Sequence, residues 1–307
     1  MTCMPELPEV ESLRKGLDKV LRGRTIRKVV IKNKKLVSGS GTIRKEDNNK
    51  AKSFIQSLEN KKLVSVSRRA KNLIIHTDHD DVILIHLKMT GQLVHVDHNK
   101  NKIKNEIVTG GHPIEESYKQ ALPHKHTHII FELDRGTLYY NDVRKFGYVL
   151  HYKSEDEINK QNHFKNIGLE PFDKNFTVEY LFNALQKKNK ALKTVLLEQS
   201  VVTGCGNIYA DEVCFASRIR PDRNCKSLNK KQVTLIHKNI IQILSRAIEL
   251  GGSSISDYLL ADGSRGNFAR EHKVYGRAGE KCVRCKNILE KIVVSGRTTV
   301  LCPNCQK

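Results

Sequence analysis

Four cysteines near the C-terminal end constrain the fold of this chain more than any other feature. Cys282 and Cys285 form one C-x2-C pair, and sixteen residues separate it from a second pair, Cys302 and Cys305. Two such pairs at this spacing are typical of a tetrahedral thiolate site for one Zn²⁺ ion. Because cysteine fills all four positions, we expect the metal to be structural, with no open position for water.

The residues between the two pairs predict a β-hairpin. Ile288–Val294 and Thr298–Leu301 read as strands that flank Ser295-Gly296-Arg297, with Arg297 near the tip. A basic residue at the tip indicates a contact with nucleic acid. A structural ribbon with an incidental arginine explains the hairpin equally well.

The charge of the chain indicates a polyanionic partner. Lys and Arg total 54 against 33 Asp and Glu, which gives a formal net charge of +21. An excess this large favours DNA, RNA or an anionic lipid surface as partner. Runs such as 187–190 account for part of it as a solvated, Lys-rich surface. The four remaining cysteines are scattered, as is typical of free thiols in a reducing cytosol.

Length and hydropathy indicate a cytoplasmic protein of about two domains. The chain has 307 residues, of which 38% are hydrophobic, enough to bury a sizeable core. No apolar run reaches the roughly 18 residues that a bilayer span requires. The first residues are acidic and lack the apolar stretch of a signal peptide.

Apolar periodicity divides the chain into a β-rich half and a helical half. A helix over 8–21 precedes strands predicted at 26–32, 62–67, 73–77, 82–87, 127–133, 137–141 and 148–151. Helices are predicted at 178–188, 192–199, 207–217 and 230–250. The sequence therefore predicts an α+β protein with a β-rich domain over 1–151, a linker over 152–176, a helical domain over 177–272 and the finger over 273–307.

Residues 97–125 interrupt this pattern. The segment is polar, contains Gly110-Gly111, and predicts a surface insertion or a long loop. Five histidines lie in it or just after it: His98, His112, His124, His126 and His128. They lack a compact ligand spacing and are expected in solvent, so we predict no metal site here.

A glycine-bearing turn forms a second candidate site. The segment 201–212 reads VVTGCGNIYADE, and Gly204 and Gly206 allow positive φ and close backbone approach. Exposed amides of this turn and the start of the next helix can hold a phosphate, with Asn207 and Lys193 adding polar contacts. The alternative is an ordinary corner between two helices of a bundle.

Two short segments of the β-rich half are informative only in combination. HLKMTGQL spans 86–93 and NDVRKFG spans 141–147. A Met or Phe in such a strand is usually a core residue. In an enzyme that extrudes a nucleotide, however, Met89, Arg144 and Phe146 can fill the gap left in the duplex.

The N-terminal run MPELPEVE, at 4–11, contains the candidate reactive groups. A free proline amine can attack an aldehyde-like sugar carbon and form an iminium. Glu6, next in sequence to Pro5, can move a proton to the sugar or the leaving base, and Glu9 can reach the same site. Taken alone, the run is better explained as a helix start, because proline and acidic residues favour the first turn.

Together these segments resemble the formamidopyrimidine-DNA glycosylase family, in its branch acting on oxidised purines. They follow the family's order and span nearly the whole chain: MPELPEVE at 4–11, HLKMTGQL at 86–93 with NDVRKFG at 141–147, VVTGCGNIYADE at 201–212, and VYGRAGEKCVRC at 274–285 with GRTTVLCPNCQK at 296–307. The resemblance implies an N-terminal β-sandwich with flanking helices, a helix–two-turn–helix domain and a C-terminal zinc-finger hairpin, which together clamp DNA.

The resemblance also implies an activity. A monomer with one structural Zn²⁺ would bind nucleoid DNA containing 8-oxoguanine, a formamidopyrimidine or an abasic site. It would flip and excise the damaged base and then cut the strand by β,δ-elimination. No membrane partner is implied.

The resemblance further implies roles for single residues. Pro5 is the nucleophile, Glu6 the proton donor, Glu9 a supporting carboxylate and Lys71 a catalytic lysine that reaches the DNA backbone. Met89, Arg144 and Phe146 fill the void in the duplex; Lys193, Asn207 and Arg297 contact phosphates; and 263–267 lies in the segment that closes over the flipped base.

Three other interpretations remain open from the sequence. The endonuclease VIII branch prefers oxidised pyrimidines, although the Arg144 and Phe146 segment favours the purine branch. A non-catalytic DNA-binding protein would result if the Pro5 nitrogen stayed blocked. A zinc-ribbon RNA-binding protein would account for the charge and the cysteines but not for the N-terminal run.

The nucleophile requires a new N-terminus. Met1-Thr2-Cys3 precede Met4 in this sequence, and an acylated Pro5 nitrogen cannot attack a sugar. We hypothesise that translation starts at Met4 or that the extension is removed, because Met4 opens the family motif. Intact-mass measurement of active protein should therefore show a chain beginning at Pro5. Full activity in protein that retains residues 1–4 would contradict the hypothesis.

Overall fold

The computed structural model describes residues 4–41, 43–98, 107–111, 121–253 and 266–307. Residues 1–3, much of the predicted insertion at 97–125 and residues 263–265 of the predicted closing segment lie outside these ranges. The chain forms two compact units. The first comprises 1–5, 9–165 and 251–266, and the second comprises 6–8, 166–250 and 267–307.

Two antiparallel sheets build the first unit. Their strands are β1 (Ile26–Ile31), β2 (Leu63–Arg69), β3 (Asn72–Thr77), β4 (Val82–His86), β5 (Gly91–Val96), β6 (Ile107–Gly111), β7 (Thr127–Leu133), β8 (Thr137–Asp142) and β9 (Tyr148–Tyr152). One sheet has the order β1-β7-β8-β5-β6 and the other β2-β3-β4-β9. Apolar side chains of both sheets, such as Ile129 and Ile85, belong to one buried cluster. The sheets therefore pack as the expected β-sandwich.

Helices flank this core. They are α1 (Leu7–Leu21), α2 (Asn48–Leu58), α3 (Glu155–Lys160) and α4 (Asn162–Lys165). The predicted first helix is confirmed, because its apolar residues recur at helical spacing and enter the sandwich core. Helix α2 was not predicted. Only Ala51, Phe54 and Leu58 are buried in it, so its apolar stripe is sparse among Lys and Asn.

The prediction of a loop over 97–125 is wrong in part. Strand β6 lies within that segment and pairs with β5, with Val94 opposite Thr109. This pairing is a long-range backbone interaction that local composition does not show. The expectation of solvated histidines is also wrong for His124 and His128, which are buried. The ring of His128 hydrogen-bonds to the Asp142 carbonyl at 2.8 Å.

The second unit contains the four predicted helices with slightly different ends. They are α5 (Val178–Gln186), α6 (Leu192–Leu196), α7 (Asn207–Ala216) and α8 (Lys230–Glu249). Helix α8 buries the predicted apolar stripe and begins with a capping box between Asn229 and Gln232. The turns between α6 and α7 give the helix–two-turn–helix arrangement.

The C-terminal hairpin belongs to the same unit. Strands β10 (Glu290–Val294) and β11 (Arg297–Leu301) pair in antiparallel register, with Val294 opposite Arg297. Upstream of the hairpin, the buried Glu212 carboxylate accepts hydrogen bonds of 2.9 to 3.1 Å from the amides of Lys273, Val274 and Tyr275. Within the described ranges, no helix combines the length and hydrophobicity needed to cross a bilayer.

Candidate active site and nucleic-acid interface

The start of α7 holds the side chain of Glu6. Its Oε2 accepts a hydrogen bond from the Gly206 amide at 2.6 Å, and its Oε1 accepts one from the Ile208 amide at 2.9 Å. A carboxylate here satisfies amides that the first helical turn leaves without partners, and it interacts favourably with the helix dipole. The carboxylate of Glu6 is therefore buried in a defined position, and Pro5 before it is also buried.

This arrangement corrects the predicted role of the glycine-bearing turn. The Gly206 amide binds Glu6, and the Gly204 amide donates to Gln199 Oε1 at 2.8 Å, so neither is open to a phosphate. A Cβ on Gly206 would lie 2.4 Å from Glu6 Cδ. Glycine is required here because the Glu6 carboxylate packs directly on the backbone.

Glu9 is fixed in the same manner within the first unit. Its buried Oε1 accepts a hydrogen bond from the Ser253 amide at 2.7 Å. A Cβ on Gly252 would lie 2.6 Å from the same oxygen, and Gly252 has a φ of +84°. Glu9 thus anchors the chain immediately before residues 254–265, which lie outside the described ranges.

Lys71 lies in the tight turn between β2 and β3. Ala70 in this turn has a φ of +53°, an uncommon conformation for a residue with a side chain. Arg68 supports the turn by donating to the Ala70 carbonyl at 2.8 Å and to Glu11 Oε2 at 3.1 Å. The side chain of Lys71 is partly exposed.

Met89, Arg144 and Phe146 come together although more than fifty residues of sequence separate the first from the other two. The Arg144 guanidinium donates to Met89 Sδ at 2.9 Å. It also lies 4.5 Å from the centre of the Phe146 ring, a cation–π geometry. Phe146 is 46% exposed, unusually high for a large apolar side chain. The predicted grouping of these three residues is present on the surface of the first unit.

The structure does not place Lys193 at the surface, where the predicted phosphate contact requires it. Its side chain is 0% exposed and lies 2.7 Å from Asp211 Oδ1. Its Nζ also donates to the Thr298 carbonyl at 3.0 Å and to Thr299 Oγ1 at 2.7 Å. A fully buried ammonium with these partners cannot touch DNA in this conformation. The phosphate contact was predicted because a lysine beside a loop is usually exposed. The burial of Lys193 contradicts that expectation.

Asp211 is the residue of this cluster that sequence reasoning missed. Its Oδ2 accepts a hydrogen bond from the Val300 amide at 3.2 Å, so the buried ion pair holds strand β11 against α6 and α7. Burial raises the pKa of Asp211, and the Lys193 ammonium opposes that shift. The only sequence signal was an acidic residue within an apolar stretch of α7.

Asn207 and Arg297 remain at the surface above this ion pair. Asn207 Nδ2 lies 3.4 Å from the Thr298 carbonyl, which places the start of α7 beside the hairpin. Arg297 is exposed at the first position of β11. A second link joins Thr194 Oγ1 to Ser295 Oγ at 2.7 Å. The partly buried Asn207 and the exposed Arg297 therefore lie close together beside the hairpin.

The four finger cysteines form a metal site. Their sulfur atoms all lie within 4.8 Å of one another, with Cys282 and Cys305 separated by 3.9 Å and Cys285 and Cys302 by 3.5 Å. Zn–S bonds of about 2.3 Å in a tetrahedron place sulfurs roughly 3.8 Å apart. The geometry and the thiolate donors fit one structural Zn²⁺.

The fold combines a β-sandwich, a helix–two-turn–helix unit and a four-cysteine finger, and this combination defines a class of DNA-binding protein. Comparison with models of known families identifies the family. Family models match in succession: the formamidopyrimidine-DNA glycosylase N-terminal domain over 4–149, the formamidopyrimidine-DNA glycosylase H2TH domain over 167–258 and the zinc finger found in FPG and IleRS over 279–307. The chain belongs to the formamidopyrimidine-DNA glycosylase family.

Individual relatives agree over their full length. The formamidopyrimidine-DNA glycosylase of Bacillus cereus is 39% identical over 304 residues, which is 99% of each chain. That of Bacillus licheniformis is 38% identical over 305 residues, covering 99% of this chain and all of the relative. Lactococcus lactis Fpg in complex with DNA containing an abasic site has 34% identity and a TM-score of 0.83, covering 98% of this chain and 99% of that one.

The buried ion pair yields a stability prediction. Replacing Lys193 with Met leaves the Asp211 carboxylate buried without its cation, which should lower the free energy of unfolding by about 3–5 kcal/mol. The double variant Lys193→Met/Asp211→Asn should recover much of that loss in urea denaturation. Suppose instead that Lys193→Met unfolds like wild type and that the salt dependence of its DNA binding is shallower by about one unit. That result would support the phosphate contact.

The zinc site yields a second prediction. Cys302→Ser should abolish stoichiometric zinc binding and unfold the finger, because structural zinc contributes about 10–16 kcal/mol to folding such modules. Metal analysis and hydrogen exchange of 290–301 measure the two effects. Cys225→Ser is the matched control, since Cys225 is buried outside the cluster. Full zinc content in Cys302→Ser would contradict the assignment.

Proposed function

We propose that this protein excises oxidised purines, such as 8-oxoguanine and formamidopyrimidines, from duplex DNA and then cleaves the abasic strand. The observation that carries the proposal is the fixed Glu6 carboxylate, bound to the start of α7 directly after Pro5. Support also comes from the structural relatives, which include Lactococcus lactis Fpg variants in complex with DNA containing Fapy-dG.

The reaction begins at the Pro5 nitrogen once it is the free N-terminus. Its lone pair forms a bond to C1′ of the damaged nucleoside, and the electrons of the glycosidic bond leave with the base, which takes up a proton. Loss of the proton on nitrogen and opening of the C1′–O4′ bond then give an iminium. Glu6 transfers a proton to O4′. It can do so because it directly follows the nucleophile in sequence and its carboxylate is held in a fixed position.

Strand cleavage follows from the iminium. Removal of a C2′ proton expels the 3′-phosphate, and a second elimination expels the 5′-phosphate. In the proposal, Lys71 reaches the DNA backbone beside the lesion, and Glu9 supports the site. This β,δ-elimination leaves a one-nucleotide gap with phosphate at both ends.

The DNA is held by the two surfaces described above. Met89, Arg144 and Phe146 enter the duplex where the damaged nucleotide leaves it, and the exposed Phe146 supports this role. Asn207 and Arg297 contact phosphates from the surface beside the hairpin. Chromosomal DNA as substrate places the protein in the cytoplasm, associated with the nucleoid.

Borohydride trapping tests the chemistry. Reduction of the reaction with abasic DNA should give a covalent adduct that peptide mapping places on Pro5. An adduct on Lys71, or tight binding without any adduct, would refute the assignment of the nucleophile. Excision of 8-oxoguanine opposite cytosine should exceed that of thymine glycol, and the reverse would indicate the oxidised-pyrimidine branch.

The proton-transfer role has its own test. Glu6→Gln should lower single-turnover excision of 8-oxoguanine by about 10²–10⁴-fold, the usual contribution of general acid–base catalysis. The exposed residue Glu46 offers a matched control, and Glu46→Gln should excise at the wild-type rate. An equal rate in Glu6→Gln would remove Glu6 from the mechanism.

A further inference from the structure

Asp142 is a buried carboxylate at the end of β8, immediately before the segment that carries Arg144 and Phe146. It is 0% exposed. Its Oδ2 accepts a hydrogen bond from the Gly147 amide at 2.8 Å, which closes the turn over 142–147. Its Oδ1 accepts a hydrogen bond from the Thr90 hydroxyl at 2.5 Å. One carboxylate therefore binds two turns that are distant in sequence: the turn over 142–147 and the turn over 87–91, which contains Met89.

Thr90 extends this connection to Arg144. The Thr90 hydroxyl oxygen accepts a hydrogen bond from the Arg144 amide at 3.0 Å while its proton is donated to Asp142. Thr90 directly follows Met89. The network thus fixes the backbone beside Met89 relative to the backbone of Arg144, independently of their own side-chain contact.

Arg44 binds the same turn from another part of the chain. Its guanidinium donates to the carbonyls of Lys145 and Gly147, each at 2.6 Å, and to the Gly39 carbonyl at 3.3 Å. Burial lowers the pKa of Arg44, and the negative charge of Asp142 acts in the opposite direction. The half-buried Arg44 side chain thus holds two carbonyls of the turn in place, while the carboxylate of Asp142 is fully buried.

The two turns need such support because their backbones are strained. Lys88 has a φ of +51° and Lys145 a φ of +57°, in the left-handed region that residues with side chains rarely adopt. Such conformations persist only where surrounding contacts impose them, and they concentrate at functional sites. Gly147 adds a steric condition, since a Cβ there would overlap the Tyr140 hydroxyl.

We propose that Asp142 is a positioning residue that assembles Met89, Arg144 and Phe146 before they enter the DNA duplex, with Thr90 as its link to the Met89 turn. The inference rests on the proposed function, in which these three side chains replace the extruded nucleotide. Assembly in advance matters because ordering exposed side chains during insertion would reduce the favourable free energy of binding. Asp142 contacts neither the nucleophile nor the sugar in this scheme and acts only through the two turns.

The test measures insertion directly, without requiring base excision. Full-length protein is mixed with a duplex carrying 2-aminopurine opposite a tetrahydrofuran abasic analogue, and stopped-flow fluorescence follows the change in stacking. Asp142→Asn and Thr90→Val should each slow insertion by about tenfold or more, because small misplacements of positioned groups have effects of this size. Thr90→Val preserves the shape of the side chain and serves if Asp142→Asn folds poorly.

A double-mutant comparison separates positioning from general destabilisation. In a Met89→Ala background, in which Arg144 and Phe146 still insert, Thr90→Val should slow insertion clearly less than it does in the wild-type background, because residues that act through one another are non-additive. An undiminished effect in that background would overturn the proposal. So would wild-type insertion rates in both Asp142→Asn and Thr90→Val.

The matched control is Thr127, another buried threonine, which lies in strand β7. Thr127 Oγ1 accepts a hydrogen bond from the His124 amide at 3.1 Å, a contact separate from the two turns. Thr127→Val should insert at the wild-type rate, and slowing equal to that of Thr90→Val would count against a specific role. Failure of wild-type protein to excise 8-oxoguanine would refute the proposed function, whereas the insertion rates decide the role of Asp142 independently.

Discussion

The carboxylate of Glu6, bound to the amides of Gly206 and Ile208, is the interaction on which the proposed chemistry depends. It makes the residue beside the proposed nucleophile a fixed part of the second unit. The start of α7 supplies the amides, and the absence of a side chain at Gly206 lets the carboxylate reach them. A segment that resembles a phosphate-binding turn in sequence is therefore occupied by an internal anion.

The same physical solution recurs at other functional segments. Glu9 binds the Ser253 amide, Glu212 binds three successive amides before the finger, and Asp142 binds the Gly147 amide. Each carboxylate is buried and accepts hydrogen bonds from the backbone, which offsets much of the free energy lost on leaving water. Such a protein can carry a large positive charge for DNA while its buried acidic residues determine the conformation of the loops that are proposed to contact the DNA.

Much of the fold was predictable because it follows from local patterns. The spacing of the finger cysteines, the apolar stripe of α1 and that of α8 each describe one element, and the structure contains all three. Prediction was poorer where an element depends on a partner. Strand β6 exists through its pairing with β5, and α2 buries only a few apolar residues.

The sequence by itself determined the zinc site and the principal helices, because these follow from residue type and short-range spacing. Its motifs also indicated the family and, through that resemblance, the candidate nucleophile. Tertiary structure alone decided which polar groups meet. Burial of Lys193 against Asp211 and the link from Thr90 through Asp142 to Gly147 join residues far apart in the chain. Hydrogen bonds and ion pairs act over a few ångströms in space, and separation along the chain does not indicate which groups will come that close.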